Sequence, residues 1–135
     1  MSDKSVAAKL GLKSGFSVRL FAPAADWAAL LGPMPADVMV HHDGNGPFDA
    51  VIVFVPTTAT LTTHSAAAIA ALKPGGLMWL AYPKKTGAIT SDMTRERAWE
   101  AFTHLDWRPV SQIALDDTWS ALRFRPAADV KSSKG

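Results

Sequence analysis

The chain has 135 residues, of which 48% are apolar and 19% are charged, and its formal net charge is +2. These values predict one globular domain over residues 1–126 with a disordered tail at 127–135, and they argue against nucleic-acid binding, which usually needs a dense basic face. Cysteine is absent, which excludes disulfides and thiolate chemistry and fits a cytoplasmic protein, and no apolar stretch is long enough to predict a signal peptide or a membrane span.

The first half of the chain alternates between strand and helix patterns. Residues 16–22 are mostly apolar and are followed by Pro23, which predicts a strand that ends before the proline. Trp27, Leu30 and Leu31 follow helical spacing. The predicted elements are, in order, a short helix that ends at Gly11, a strand over 16–22, a helix from residue 27, a short strand over 37–42 and a turn over 43–46.

The second half contains two continuous apolar runs, residues 50–55 and 76–82. Such runs predict strands that are covered on both faces, as in a parallel sheet flanked by helices. The helix between them is predicted to open near Pro56 and to end at Leu72 or Lys73. A polar loop and another helix follow the second run.

The last segment, residues 107–126, predicts two strands joined by a tight turn at Asp116 and Asp117. Two strands joined so closely must be antiparallel neighbours. The earlier alternation of strand and helix predicts a parallel sheet with helices on both faces. The predicted fold class is therefore α/β, a three-layer sandwich with a mostly parallel sheet of about six strands and a C-terminal antiparallel hairpin.

The closing hairpin, together with "LKPGG" at residues 72–76, resembles the S-adenosylmethionine-dependent methyltransferase form of the Rossmann-like fold. In that fold the last strand inserts antiparallel between its two predecessors. The resemblance covers residues 15–126. It implies a truncated form, because the interval between Asp43 and Phe48 has no room for the helix and extra strand of full-length enzymes.

A closer resemblance is to a family of small bacterial domains of unknown function with this methyltransferase-like fold. Five segments carry it, the last being the most specific: "KLGLKSGFSV" at 9–18, "APAADW" at 22–27, "LLGPMP" at 30–35, "YPKK" at 82–85 and "DDTWSALRFRP" at 116–126. This resemblance implies the fold and carries no activity over to the chain.

The turn after the first strand lacks the glycine-rich loop with which such enzymes hold their methyl donor. No glycine lies between Gly15 and Gly32, and Pro23 fixes one φ angle and removes an N–H donor. Asp43 could replace the acidic residue that binds ribose, although an Asp before a glycine is typical of a turn. No cofactor is therefore expected, and S-adenosylmethionine is the alternative.

The carboxyl ends of the parallel strands predict a ligand site at one edge of the sheet. Lys84 is interpreted as an anion contact and Asp117 as a general base or acceptor, or both as a surface ion pair that fixes the hairpin. Thr57 is interpreted as a helix cap or part of an anion site, and Trp119 as a packing residue or a stacking platform. No catalytic residue is assigned. The candidate ligand-binding residues are Pro23, Thr57, Lys84, Lys85, Asp117 and Trp119.

Other polar residues give weaker signals. The four histidines do not have the spacing of a metal site, so no metal is predicted. Arg123 and Arg125 alternate onto one strand face, where they cap that end of the strand, pair with helix carboxylates or form a basic patch for a partner. Arg19 lies inside a predicted central strand, and the pattern gives no reason for it.

Three functional hypotheses remain open. The preferred one is a non-catalytic, methyltransferase-like domain that binds a small anionic ligand or a protein partner at the edge of the sheet. The second is a divergent S-adenosylmethionine-dependent methyltransferase. The third is a homo-oligomeric structural module that associates through its apolar surface. Neither a nucleic acid nor a membrane is predicted as a partner, and it stays open whether the chain is an enzyme.

Overall fold

The computed structural model describes residues 6–23, 27–44, 46–84, 95–116 and 118–127, and for residues 95, 96, 98 and 99 it describes the backbone only. Ten helices and strands lie within these residues, in the order that the sequence predicts. The helices are α1 (Val6–Lys9), α2 (Trp27–Leu31), α3 (Thr58–Ala71) and α4 (Arg95–Thr103), and the strands are β1 (Ser17–Phe21), β2 (Met39–His41), β3 (Phe48–Phe54), β4 (Leu72–Pro83), β5 (Trp107–Ala114) and β6 (Trp119–Pro126).

The strands form one six-stranded sheet in the order β2-β1-β3-β4-β6-β5. β1 pairs in parallel with β2 and with β3, and β3 pairs in parallel with β4. β6 runs antiparallel to both β4 and β5, so the last strand inserts between its two predecessors. This arrangement confirms the predicted mostly parallel sheet with a C-terminal antiparallel hairpin.

Helices cover both faces of the sheet, which gives three layers and two apolar cores. On one face α1 and α2 bury Leu10 and Leu31 against the sheet. On the other face α3 and α4 bury Leu61 and Phe102. β3 contributes to both cores, because its side chains alternate between the faces and nearly all of them are buried. The uninterrupted apolar run at residues 50–55 is the sequence signature of this central position.

β4 begins earlier than its apolar run predicts. Leu72 already pairs with Phe48, although α3 ends only at Ala71. The regular pairing then resumes between Leu77 and Ala50, so the residues between Leu72 and Leu77 form an irregular bulge. Pairing with a neighbouring strand therefore sets this boundary, and a strand read from residue 76 is too short.

The connection between β2 and β3 is short, as the implied truncation requires. Its described residues, 42–44 and 46–47, contain no helix. On the side of the sheet where α3 and α4 pack, α3 covers the end of β1 at Phe21, and β2 has no helix directly above it among the described residues. Met39 of β2 is 62% exposed. It pairs with Ser17, whose side chain is on the same face of β1 as that of Arg19, so Met39 lies on this side of the sheet. We call this surface, formed by Arg19, Met39 and His41, the open face.

Asp49 joins three segments at the amino ends of the strands. Its carboxylate accepts hydrogen bonds from the Ser17 N–H at 2.8 Å and the Ser17 hydroxyl at 3.2 Å. The Lys73 ammonium in the β4 bulge lies 2.6 Å from the other carboxylate oxygen. The pKa of Asp49 is therefore lowered, first by the hydrogen bond from Lys73 and next by the one from the Ser17 backbone.

Replacing Asp49 with asparagine should give a stability loss that depends on pH. A carboxyl whose pKa is depressed in the folded state stabilises the fold above its unfolded pKa, and that contribution is lost as the pH falls through the folded pKa. We expect Asp49→Asn to cost about 1 kcal/mol at neutral pH and progressively less below about pH 4. Urea unfolding across this range, with exposed Glu100→Gln as the control, measures it. A cost that does not change with pH would contradict this assignment.

Across the described residues, each helix is too short or too polar to pass through a lipid bilayer.

Candidate functional site

The carboxyl ends of the parallel strands meet at one edge of the sheet, together with the turn of the hairpin. β3 and β4 remain paired there, since the Val55 N–H donates to the Ala81 carbonyl at 2.8 Å. The turn between β5 and β6 is attached at the same edge, because the Lys84 N–H donates to the Thr118 carbonyl at 2.8 Å. We call this edge the rim; its described residues are 22–23, 42–44, 55–57, 84, 115–116 and 118.

Ala22 forms a left-handed turn at the end of β1. Its φ angle is +50°, in a region that glycine adopts freely and alanine does not. Nucleotide-binding folds favour glycine at such a turn because a Cβ atom blocks the close approach of the ligand to the backbone. Ala22 is exposed and Pro23, half-buried, follows it. The chain thus keeps a glycine-like backbone angle here, but places a methyl group and then a proline ring at the turn.

Replacing Ala22 with glycine should stabilise the protein by about 0.5–1 kcal/mol, because the relieved backbone strain exceeds the added freedom of the unfolded chain. The control is Ala28→Gly at an exposed position of α2, where glycine should instead lower stability by about 1 kcal/mol. Guanidinium unfolding of both variants measures the two opposite changes. A destabilised Ala22→Gly protein would mean that Ala22 is not strained.

The end of β2 carries an aromatic contact and one carboxylate. The His42 ring packs edge-on against Trp27 at the start of α2, with the ring centroids 5.3 Å apart. Asp43 is exposed and raises the pKa of Arg19, although the larger effect of burial leaves that pKa below its ordinary value. The carboxylate proposed from the sequence for ribose binding therefore lies within electrostatic reach of a guanidinium group.

The hairpin turn is fixed by Asp116. Its carboxylate accepts hydrogen bonds from the N–H groups of Thr118 and Trp119, both at 2.7 Å. The Leu115 N–H donates to the Trp119 carbonyl at 2.9 Å and closes the turn. Asp116 is thus a turn residue of the kind that Asp commonly supplies. Asp117, the predicted base or acceptor, lies outside the described residues.

Lys84 and Thr57 both lie at the rim. The Lys84 side chain is half-buried and forms no ion pair with a carboxylate of the described residues. Thr57 is exposed and caps α3, its hydroxyl oxygen accepting a hydrogen bond from the Thr60 N–H at 3.3 Å. The cap interpretation of Thr57 therefore holds in the structure, whereas its part in an anion site stays a prediction. Lys85 lies outside the described residues.

Trp119 packs below the rim. It is 5% exposed, and its ring meets Phe54 edge-on with a centroid distance of 5.6 Å. Tyr82, also 5% exposed, accepts a hydrogen bond from the Gln112 side-chain amide at 3.0 Å. These contacts hold β3, β4 and the hairpin together. Of the two roles predicted for Trp119 from the sequence, the structure shows the packing role.

The contacts of Arg19 on the open face explain why an arginine lies inside strand β1. Its guanidinium lies 3.9 Å from the centre of the Phe21 ring, and its Nε–H donates to the Gly44 carbonyl at 3.3 Å. Arg19 is half-buried, and its side chain lies in a cavity between β1, the turn after β2 and the last turns of α3. The sequence signal was present, namely an arginine inside an apolar strand, but its meaning depends on the topology.

The two arginines of β6 have no carboxylate partner among the described residues. The buried Nε of Arg123 has no hydrogen-bond partner there. Burial and, to a smaller extent, the charge of Arg125 lower the pKa of Arg123. The predicted pairing with helix carboxylates is thus not seen in this part of the chain. Within the same residues, no three side chains of His, Asp or Glu come together as metal ligands.

The sequence matches no protein-family model and no curated protein. Several solved structures are nevertheless similar in fold. DhpI in complex with SAH has a TM-score of 0.58 and 13% sequence identity, covering 90% of this chain and 80% of that chain. The 1,6-didemethyltoxoflavin-N1-methyltransferase of Burkholderia thailandensis, with bound 1,6-didemethyltoxoflavin and S-adenosylhomocysteine, has a TM-score of 0.57 at 14% identity over 90% of this chain and 74% of that chain.

The N-methyltransferase NodS from Bradyrhizobium japonicum is similar over 90% of both chains, with a TM-score of 0.53 and 12% identity. Similarities at such low identity show that the chain has a methyltransferase-like fold. They do not carry substrates or chemistry over to it.

The rim residues do not fit an S-adenosyl donor well. The Cβ of Ala22 occupies space beside the backbone that a glycine leaves free in a nucleotide cradle. The first carboxylate after β2 is Asp43, two residues beyond the strand and within reach of Arg19.

Proposed function

We propose that the chain is a ligand-binding domain of methyltransferase-like fold that binds a small anion at its rim and transfers no methyl group. The observation that carries this proposal is a positive charge at the rim without a described counter-ion. The Lys84 ammonium has no carboxylate partner among the described residues, and Asp116, the nearby described carboxylate of the hairpin turn, accepts two backbone hydrogen bonds instead.

The amino terminus of α3 adds to this positive field. The helix has 14 residues, and no acidic residue lies in its first turn to offset the helix dipole. Thr57 caps it at the rim. A helix amino terminus next to a lysine favours an anion such as phosphate, since both the dipole and the ammonium group attract negative charge.

Lys84 and α3 are expected to act from the same side of the sheet. Leu80 and Tyr82 of β4 both belong to the core that α3 covers. Because side chains alternate along a strand, Lys84 continues that series at the rim. An anion placed there would contact the lysine side chain and the first N–H groups of the helix.

A divergent S-adenosylmethionine-dependent methyltransferase is the second candidate function. The left-handed φ of Ala22 favours it, because the backbone already has the angle of a glycine turn. The neighbours support it further, since DhpI and the Burkholderia thailandensis methyltransferase named above were both solved with S-adenosylhomocysteine. The methyl group of Ala22 argues against it.

Thermal unfolding with inorganic phosphate tests the rim proposal. We expect the midpoint to rise with phosphate concentration in the natural protein, since a ligand that binds only the native state stabilises it. Lys84→Ala should lose most of this response, and Lys13→Ala, at an exposed position away from the rim, should keep it. An equal response in both variants, or no response in the natural protein, would overturn the proposal.

Association with a protein partner or with a second copy is a separate proposal. The apolar part of the open face, where Met39 is exposed, is the surface that would support it. Light scattering decides between a monomer and a homo-oligomer.

A further inference from the structure

A cavity lies between β1, the turn after β2 and the last turns of α3. Its volume is about 260 Å³, and its walls are formed by Arg19, Phe21, Gly44, Ala67, Ala70 and Ala71. The first two come from β1, the glycine from the turn after β2, and the alanines from the last turns of α3. The cavity shares Gly44 with the rim but extends away from Lys84 and Thr57, because Arg19 lies in the middle of β1 and the alanines lie at the opposite end of α3 from Thr57.

The guanidinium group of Arg19 lies at the wall of this cavity, and some of its N–H groups have no hydrogen-bond partner among the described residues. Its Nε–H donates to the Gly44 carbonyl at 3.3 Å, and one Nη1–H donates to the Leu20 carbonyl. An arginine side chain has five N–H groups, so three have no hydrogen-bond partner among the described residues. No described carboxylate forms an ion pair with it, and Asp43 acts on it only through its electrostatic field.

The position of Arg19 is fixed rather than free. Its guanidinium stacks 3.9 Å from the centre of the Phe21 ring, which is 5% exposed. Stacking on the ring and the two carbonyl contacts hold the plane of the group in place. A fixed guanidinium fork is suited to bidentate binding of a carboxylate.

The α3 side of the cavity is formed by small apolar side chains. Ala67 and Ala70 are exposed and Ala71 is buried, so this side of α3 offers methyl groups and leaves open space beside the Phe21 ring. The volume is slightly below the roughly 300–1,000 Å³ typical of ligand pockets. A matching ligand therefore has one compact apolar body and one anionic group.

We propose that this cavity binds a small monocarboxylate with a compact apolar body. The carboxylate accepts hydrogen bonds from the free N–H groups of Arg19, and the apolar body packs between Phe21 and the alanines of α3. Neither part of this recognition involves Lys84 or the amino terminus of α3, so the proposal does not depend on the function proposed for the rim.

Benzoate is the probe, and benzamide is its uncharged counterpart of nearly the same shape. Titrations of the ¹⁵N-labelled full chain are followed by the amide shifts of Arg19, Gly44, Ala67 and Ala70. We expect saturable shifts at these amides with benzoate, and binding at least tenfold weaker with benzamide and with acetate. No saturable shifts with benzoate, or equal binding of benzamide, would overturn the proposal, as would shifts centred on Lys84.

Two variants test the two parts of the site separately. Arg19→Gln removes the charge and should weaken benzoate binding about tenfold or more, whereas Arg125→Gln, at an exposed position on β6, should not change it. Ala70→Leu fills the cavity from an exposed helix position and should abolish binding, with Ala66→Leu, exposed but not a wall residue, as its control. If Ala70→Leu folds and binds as the natural chain does, the cavity is not the site.

Discussion

Replacing Gly46 with alanine should lower the free energy of unfolding by about 3 kcal/mol. The φ angle of Gly46 is +81°, which already disfavours alanine. A Cβ atom there would also lie 2.3 Å from the Ala71 carbonyl oxygen and 2.8 Å from the Phe48 nitrogen. Both neighbours are backbone atoms, so neither can move aside as a flexible side chain could. Urea unfolding of the variant measures the loss.

Gly15→Ala is the matched control for this substitution. Gly15 has nearly the same angle, +82°, but nothing lies within 4 Å of an added Cβ. This variant should lower the free energy of unfolding by only about 1 kcal/mol, the cost of placing alanine at a left-handed φ angle. The difference between the two variants thus isolates the close approach of the β2–β3 connection to the end of α3. Equal costs would mean that the connection can move away from α3.

Replacing Phe54 with alanine should cost about 3–5 kcal/mol. Phe54 has no exposed surface, and it meets Trp119 edge-on at a centroid distance of 5.6 Å. The substitution leaves a cavity between β3 and the hairpin, where Trp119 cannot fill the space without losing its own contacts. Chemical denaturation measures the effect, and a half-buried ring offers the control: Phe16→Ala should cost clearly less.

The consequences of Phe54→Ala extend to the rim. Phe54 is the last residue of β3, and Trp119 is the first of β6, so their contact holds the hairpin turn against the central strands. We therefore expect the near-UV circular dichroism signal of tryptophan to weaken in the variant. A loss below about 1 kcal/mol with an unchanged tryptophan signal would mean that the hairpin does not depend on this contact.

The order of the helices and strands along the chain, and the closing hairpin, could be predicted because a few local features allow little choice. The interval at Asp116 is too short for a helix, which requires an antiparallel hairpin, and the interval between Asp43 and Phe48 is too short for another crossover. The apolar run at residues 50–55 marks the central strand β3. Each of these signals is local, and each agrees with the global fold.

Other features depend on contacts that a sequence pattern does not contain. β4 starts at Leu72 because Phe48 of the neighbouring strand pairs with it, whereas the apolar pattern begins later. Alanine gives no signal for the left-handed angle at Ala22. Asp49 is an ordinary polar residue at the start of β3 until the fold brings Ser17 and Lys73 to it.

The positions of the rim residues at one edge of the sheet could be predicted, whereas their contacts could be predicted only in part. Parallel strands bring their carboxyl ends to one edge, so Pro23, Thr57 and Lys84 could be assigned to the rim from their positions after strands. The role of each side chain depends on its partners, and those appear only in the fold. Asp116 illustrates this, because its two hydrogen bonds to backbone N–H groups make it a turn residue.

The proposal that this chain binds no methyl donor rests on the turn at Ala22. Isothermal titration calorimetry of the natural protein with S-adenosylhomocysteine tests this proposal most directly. We predict no saturable heat, because the Ala22 methyl group and Pro23 stand where the donor would approach the backbone. A one-site binding curve that Asp43→Ala weakens would contradict this account and favour the divergent methyltransferase.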